Sequence, residues 1–394
     1  MIAELTIDLD ALRNNVAALA ALASPARYFA VVKADAYGHG LVRVALALAP
    51  HVAGFCVYRT GEAVRLRDAG IDRPLLILGP VETNELDAAV GAHAAIALWD
   101  DGAFRRDLAR MARRHRTRGI VHAKIDTGVT RLGLDVSEAA RIVATYLDDP
   151  ALDVRGVFTH LAAAEELESG YTLEQLARFE RALAPVATAL AARRVDRHAA
   201  ASAAAMLYPQ LRLDLVRPGI ATYGIWPSPQ TRAAASEHLT LQPALRWTTR
   251  LVVVRDVPAG RSIGYGCTFV TQRPSRIGVL PIGYAEGLPR AVSNRGAAIA
   301  GGRIVPFVGR VCMNMSFVDV TDAPLAVRGT TVTLVGRDGE VEQDANALAA
   351  AAGSIGFELV ARLPATIPRR YVEGARTAGD AKAASAAASS SVPS

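Results

Sequence analysis

Only three cysteines occur in 394 residues, Cys56, Cys267 and Cys312, and none stands at a metal-binding spacing from another. That scarcity excludes a disulfide framework, gives no reason to expect a metal site, and fits a reducing compartment. No apolar run approaches the roughly 18 to 20 residues needed to span a membrane as a helix. Met1 to Asp10 carries acidic residues and lacks the basic, apolar pattern of a secretion signal, so the expected location is the cytoplasm, without a membrane partner. A glycine-rich phosphate loop is missing too. The formal net charge is +6, yet the arginines are scattered. Their densest cluster, Arg105 to Arg118, reads as the solvated face of one helix, so a nucleic-acid partner is not expected. A modest positive field does suit small anionic ligands. What remains is an ordinary globular composition, 51% apolar and 21% charged, on a chain long enough for two cores.

Glu4 to Leu9 alternates apolar and polar residues, which predicts an opening strand, residues 1–9, packed with the second domain. Asp10 is placed to cap the helix that follows, with Leu12, Val16, Leu19 and Ala23 at helical spacing. From Tyr28 short apolar strands alternate with amphipathic helices. The strands are expected near 28–33, 53–57, 74–78, 93–98, 119–126, 153–160, 197–202 and 214–219. Eight such units predict a (β/α)8 TIM barrel over residues 10–230, an α/β fold, although periodicity alone also allows an open doubly wound sheet. Thr172-Leu-Glu-Gln175 has the form of a capping box opening a helix, and Pro185 should kink that helix. After the polar connection from Pro227 to Glu237 the texture becomes strand-rich with Gly and Asp turns, which predicts a mainly β domain over residues 238–373. From Ala375 an Ala/Ser tail without aromatics is expected to be disordered to residue 394.

The strand from Tyr28 to Val32 delivers Lys33 at its carboxyl end, where α/β sheets keep their chemistry. A desolvated lysine there loses affinity for its proton and becomes an amine nucleophile toward an aldehyde. Tyr37 has the reach to hold an anion nearby. The other strand ends supply Lys124 with Asp126 and Arg131, then His160, Ser202 and Arg217. Alone, His160 reads as a satisfied core histidine, Arg131 as a salt-bridge partner and Ser202 as a helix cap. Their coincidence at one end of successive strands argues for a shared site. Arg217-Pro-Gly-Ile220 leaves the last strand where barrels bind phosphate, and Gly219 permits a close approach.

Several segments carry a specific resemblance: Val32-Lys-Ala-Asp-Ala-Tyr-Gly-His-Gly40, Asp126-Thr-Gly-Val-Thr-Arg-Leu-Gly133, Phe158-Thr-His160, Arg217-Pro-Gly-Ile-Ala-Thr-Tyr-Gly224, Ile263-Gly-Tyr-Gly266, Ile282-Gly-Tyr-Ala-Glu-Gly287 and Gly309-Arg-Val-Cys-Met-Asn314. In order and spacing, from about Glu4 to Tyr371, the chain resembles the alanine racemases. The resemblance implies a pyridoxal 5′-phosphate enzyme that interconverts L- and D-alanine by two bases and supplies D-alanine for peptidoglycan. It also implies a homodimer with shared active sites. Lys33 would hold the cofactor and act as one base, and Tyr265 of the other subunit would be the second. Tyr37, Ser202, Gly219, Ile220 and the neighbourhood of Tyr371 would surround the phosphate. Arg217, supported by His198, would face the ring nitrogen, and His160 would flank the ring. Arg131 would lie near the cofactor's phenolic oxygen and, with the Met313 amide, help fix the substrate carboxylate, with Tyr284, Arg290 and Arg310 lining the entrance. Lys124 matches a lysine that many members carry carbamylated.

The chain departs from the family at Glu165, Glu286 and Asn314, where Asp is common, at Ala201, where Asn is common, and at Ala365, where some members have a phosphate-contacting tyrosine. These changes leave the two bases in place and bear on substrate selectivity, so serine or a broader set of small amino acids is the alternative substrate. A pyridoxal-phosphate decarboxylase of similar architecture would need an acidic residue where Arg217 stands. A single-barrel carrier of the cofactor would lack residues 238–373.

Overall fold

The computed structural model describes residues 3–99 and 102–374; the expected Ala/Ser tail lies outside them. Ten strands lead through the first two-thirds of the chain: β1 (Ala3–Asp8), β2 (Arg27–Val31), β3 (Gly54–Val57), β4 (Leu75–Ile77), β5 (Ala94–Leu98), β6 (Gly119–Asp126), β7 (Leu134–Asp135), β8 (Leu152–Phe158), β9 (Asp196–His198) and β10 (Leu215–Val216). Eight of them form a parallel sheet in the order β10-β2-β3-β4-β5-β6-β8-β9, with β7 added beside β6. Ala30, Val31, Phe55, Cys56, Val57 and Leu75–Ile77 are buried almost without alternation, because helices cover the outer face and side chains fill the inner one. The last seam carries no ladder. Single hydrogen bonds from Asp214 N to Arg197 O (3.0 Å) and from Arg217 N to Ala200 O (2.9 Å) draw β9 and β10 together, so the sheet closes into the expected eight-stranded barrel.

β1 belongs elsewhere. It runs antiparallel to Leu245–Arg250, with Leu5 opposite Trp247, and parallel to Arg369–Val372, with Ile7 opposite Tyr371. Leu5, Ile7 and Trp247 are fully buried between this sheet and the rest of the molecule. The sheet continues through Thr331–Asp338, Ala297–Ala300 and Arg303–Pro306, while Val253–Val257, Ser275–Leu280 and Ser316–Asp319 form a second, three-stranded sheet. The C-terminal part is therefore mainly β. No helix among the described residues is long and apolar enough to cross a membrane.

Two helix starts differ from expectation. Helix α1 (Leu9–Ala23) is capped by Asp8, whose carboxylate accepts from the amides of Asp10 and Ala11 at 2.9 Å. Asp8 still has the extended backbone of β1, the conformation a cap requires, whereas Asp10 already lies inside the first turn and pairs with Arg13 at 2.7 Å. The helix Tyr171–Leu183 opens on Gly170 at φ +66°, not on a capping box. Thr172 is buried with an unpartnered hydroxyl, and Gln175 turns inward to serve the barrel loops. Pro185 acts as expected, since a 3-10 turn, Ala184–Val186, separates that helix from Ala187–Ala192.

Candidate active site

The chain leaves β2 in an uncommon way. Ala34, Asp35, Ala36 and Tyr37 all have φ between +52° and +55°, so the segment Lys33–Tyr37 is a left-handed turn built from residues with side chains. Each such residue costs roughly 1–2 kcal/mol. Contacts from three directions hold it. Glu62 accepts from Ala34 N (2.8 Å), the Asp35 carboxylate accepts from Leu41 N (2.9 Å), and Arg369 of the β domain donates to Gly38 O (2.9 Å). A Cβ on Gly38 would stand 2.1 Å from Val360 O, so only glycine, at φ +78°, closes the turn against the helix Gly356–Ala361. The result is a fixed Lys33 on the barrel's carboxyl-terminal face with Tyr37 swung toward the barrel's last strand.

A cavity of about 710 Å³ opens there and is lined by Lys33, Tyr37, Lys124, Arg131, His160, Ser202, Arg217, Gly219 and Ile220. All nine are sequence-expected site residues from five separate segments. A cleft of the same volume lies at the opposite end of the barrel, where Arg197 pairs with Asp214 and Asp196 with Arg27. The carboxyl-terminal cavity is the one with free chemistry. Burial, and then the Arg131 charge, hold the Lys33 amine below the usual lysine range. The Lys124 amine is pushed down to about 8 by burial with Arg131 and Arg217 nearby, and it sits over the Phe158 ring at 5.8 Å. His160 is held neutral, its pKa lowered to about 3 by burial and by the Arg217 charge.

The loop after β6 is shaped by Asp126. Its carboxylate accepts from the amides of Gly128, Val129, Thr130 and Arg131 at 2.8–3.1 Å, so it braces the loop and leaves Lys124 without an acidic partner. Gln175 ties this loop to the next: it accepts from Ala162 N (2.8 Å) and donates to His160 O (3.1 Å) and Thr127 Oγ1 (3.3 Å). Sequence reading assigned Gln175 to a cap and missed this role.

At the last two strands the Ser202 hydroxyl accepts from Gly219 N (2.9 Å) and Ala221 N (3.3 Å). A Cβ on Gly219 would stand 2.4 Å from the Tyr37 hydroxyl. The Ser202 and Tyr37 hydroxyls therefore converge beside the Gly219 and Ala221 amides where a side chain would obstruct them, a donor set suited to a phosphate once it replaces Ser202 Oγ as the amides' acceptor. Arg217 is buried and its guanidinium lowered to about 10 by that burial, so it stays charged at neutral pH. It donates to Thr159 O (2.9 Å), Ala199 O (3.2 Å) and His198 Nδ1, with no carboxylate among these partners. Three of its five N–H donors are thus spent on the wall. His198 lies behind the cavity, stacked on Phe158 at 4.7 Å. A buried amine, a phosphate-sized donor set and an arginine with spare donors fit pyridoxal phosphate.

Other expected residues are not brought to this cavity within one chain. Tyr265, Met313 and Tyr284 project from the β domain at 74%, 57% and 44% exposure. Tyr265 is held out between Gly264 and Gly266, both at φ +73°, with Arg310 packed so closely that a Cβ on Gly266 would meet its guanidinium at 2.9 Å. Arg290 and Arg310 do not line the cavity either. Tyr371 does not join the phosphate donors: its hydroxyl donates to His39 O (3.1 Å) and fills the space left by Gly40. Of the departures, Glu165 and Ala201 line the cavity. Glu286 and Asn314 touch each other, the Asn314 amide donating to the Glu286 carboxylate at 2.7 Å.

A family model of the alanine racemase N-terminal domain matches residues 7–227, and one of the alanine racemase C-terminal domain matches residues 244–371. An alanine racemase of Symbiobacterium thermophilum is 42% identical over 367 residues, covering 93% of this chain and 96% of its own. One from Methanococcus maripaludis is 35% identical over 376 residues, covering 93% and 97%. Among solved structures, the alanine racemase of the D-cycloserine producer Streptomyces lavendulae superposes with a TM-score of 0.88 at 32% identity, covering 95% of this chain and 98% of that one. The alanine racemase of Bacillus anthracis with bound L-Ala-P gives 0.86 at 30% identity, covering 96% of each.

Proposed function

The chain belongs to the alanine racemase family, and we propose that it interconverts L- and D-alanine with pyridoxal 5′-phosphate held on Lys33. When bound, the cofactor supplies the electron sink that acidifies the Cα–H of an amino acid. The protein supplies the rest. Lys33 Nζ, its proton affinity lowered by burial, would hold the cofactor and serve as a base toward Cα. Ser202, Tyr37 and the amides at Gly219 and Ile220 would hold the phosphate. Arg217 would face the ring nitrogen and, as a cation that keeps its proton, would leave that nitrogen unprotonated. This disfavours side reactions such as transamination and decarboxylation, for which a carboxylate would be placed there.

Inverting a tetrahedral centre needs a proton taken from one face and one delivered to the other. Lys33 can serve only one face of Cα, so a second proton carrier is required. Tyr265, exposed on a rigid glycine-flanked turn, is the second base of the proposal, contributed by another copy of the chain. In the same arrangement Arg131 and the Met313 amide take the substrate carboxylate, Tyr284 borders the entry, and D-alanine production serves cell-wall synthesis.

The observation that carries this reading is Lys33 with its lowered proton affinity sharing one cavity with the Ser202–Gly219 donor set. The test is formation of D-alanine from L-alanine, and of D-serine from L-serine, together with the visible absorbance of the purified protein. Alanine should turn over, serine about 10²-fold more slowly, and Lys33→Ala should lose both absorbance and activity. A cofactor band that survives Lys33→Ala would sink the assignment.

A further inference from the structure

We propose that His122 is a positioning residue for Arg217: acting through His198, it fixes the imidazole tautomer that receives the guanidinium and so keeps the spare arginine donors aimed at the cavity. The alternation of β6 places His122 on the same face as Lys124, one side-chain layer deeper in the barrel. There its Nδ1 lies 2.8 Å from His198 Nε2, and His198 Nδ1 meets the Arg217 guanidinium. A guanidinium can only donate, so His198 Nδ1 must accept and its proton must sit on Nε2. That proton points at His122 Nδ1, which must therefore accept in turn, leaving the His122 proton on Nε2. The run Arg217, His198, His122 has one consistent sense of donation. In the other His198 tautomer an N–H would face a guanidinium N–H, and Arg217 would lose its side-chain acceptor.

The barrel is built to admit His122. Its β8 neighbour in the sheet is Gly156, and a Cβ there would stand 2.2 Å from His122 Nδ1. The β6–β8 register shifts between Val121 and His122, which adjusts the strand at this residue. Both histidines are buried and held neutral, by burial first and the Arg217 charge second, so neither offers a competing protonated form at physiological pH.

The inference rests on the cofactor reading above, but one of its readouts does not. Ring ¹⁵N chemical shifts report the His198 tautomer directly in the purified protein. The wild type should show a pyridine-like Nδ1 and a pyrrole-like Nε2. His122→Phe should mix the two tautomers, weaken pyridoxal phosphate binding about tenfold and change the pH profile of the bound cofactor's absorbance. His122→Asn, which retains an acceptor, should restore affinity to within about threefold. Gly156→Ala keeps the histidine but displaces it, so it should behave like His122→Phe and provides the test if that variant does not fold. A His198 tautomer and cofactor spectrum unchanged in both variants, with only thermal stability lowered, would overturn the proposal and make His122 a packing residue. A wild type that takes up no pyridoxal phosphate yet shows the expected tautomer would sink the cofactor reading alone.

Discussion

Lys124 shows how one residue's surroundings prescribe chemistry. Its amine is buried beside Arg131 and Arg217, and Asp126, the nearest acid in sequence, spends its carboxylate on four backbone amides. Burial first, and the Arg131 and Arg217 charges second, disfavour a cation here, and its proton affinity falls to about 8. We propose that the neutral amine adds carbon dioxide, forming a carbamate and releasing a proton, and that the resulting anion orients Arg131. Because the folded pKa lies below the ordinary lysine value, the reactive neutral form is scarce at pH 6 and predominates above about pH 8. At fixed dissolved ¹³CO₂, a ¹³C carbamate resonance should rise through that range and vanish in Lys124→Ala; a signal that persists in the variant would refute the assignment. The strand-end residues were legible in sequence because they are polar where buried strands are otherwise apolar. His122 was not, since it lies inside a strand and only the strand ends were read for chemistry. The packing of Tyr371 against Gly40 was not legible either, since its sequence position gives no sign that Gly40 clears a space for it.

At the scale of elements, the apolar runs located the eight barrel strands to within a few residues, since strands covered on both faces leave little room for polar side chains. The first cap was displaced because Asp8 and Asp10 offer the same chemistry two residues apart, and only the end of β1 decides between them. The left-handed turn from Lys33 to Tyr37 could not have been read at all. Alanine, aspartate and tyrosine carry no preference for positive φ strong enough to announce it, and the contacts that enforce it come from Glu62 and from Arg369, far along the chain. That dependence yields a prediction. Gly38→Ala would place a methyl 2.1 Å from Val360 O at a positive φ, so unfolding in urea should show a loss of at least ~2 kcal/mol, accompanied by weaker cofactor retention because Lys33 leads directly into this turn. Unchanged stability would mean that the turn can relax without cost.

At the scale of the whole molecule, the β domain does two things for the barrel. It takes β1 into its own sheet and reaches back through Arg369 and Val360 to hold the lysine turn. It also presents Tyr265, Met313 and Tyr284 outward, away from the cavity of their own chain. The sequence showed these motifs but not their direction, which depends on the packing of Arg310 behind the Tyr265 turn and on the Glu286–Asn314 bond behind Met313. In the proposed two-base mechanism, with Tyr265 facing away from its own cavity, the enzyme is complete only as a pair of chains. The decisive measurement is therefore complementation: Lys33→Ala and Tyr265→Phe proteins, each inactive alone, are mixed, dissociated and reassociated, and D-alanine formation is followed. A mixed dimer carries one site with both native bases, so activity should recover to about a quarter of the wild-type value. A mixture that forms mixed dimers and stays inactive would contradict the shared two-base site.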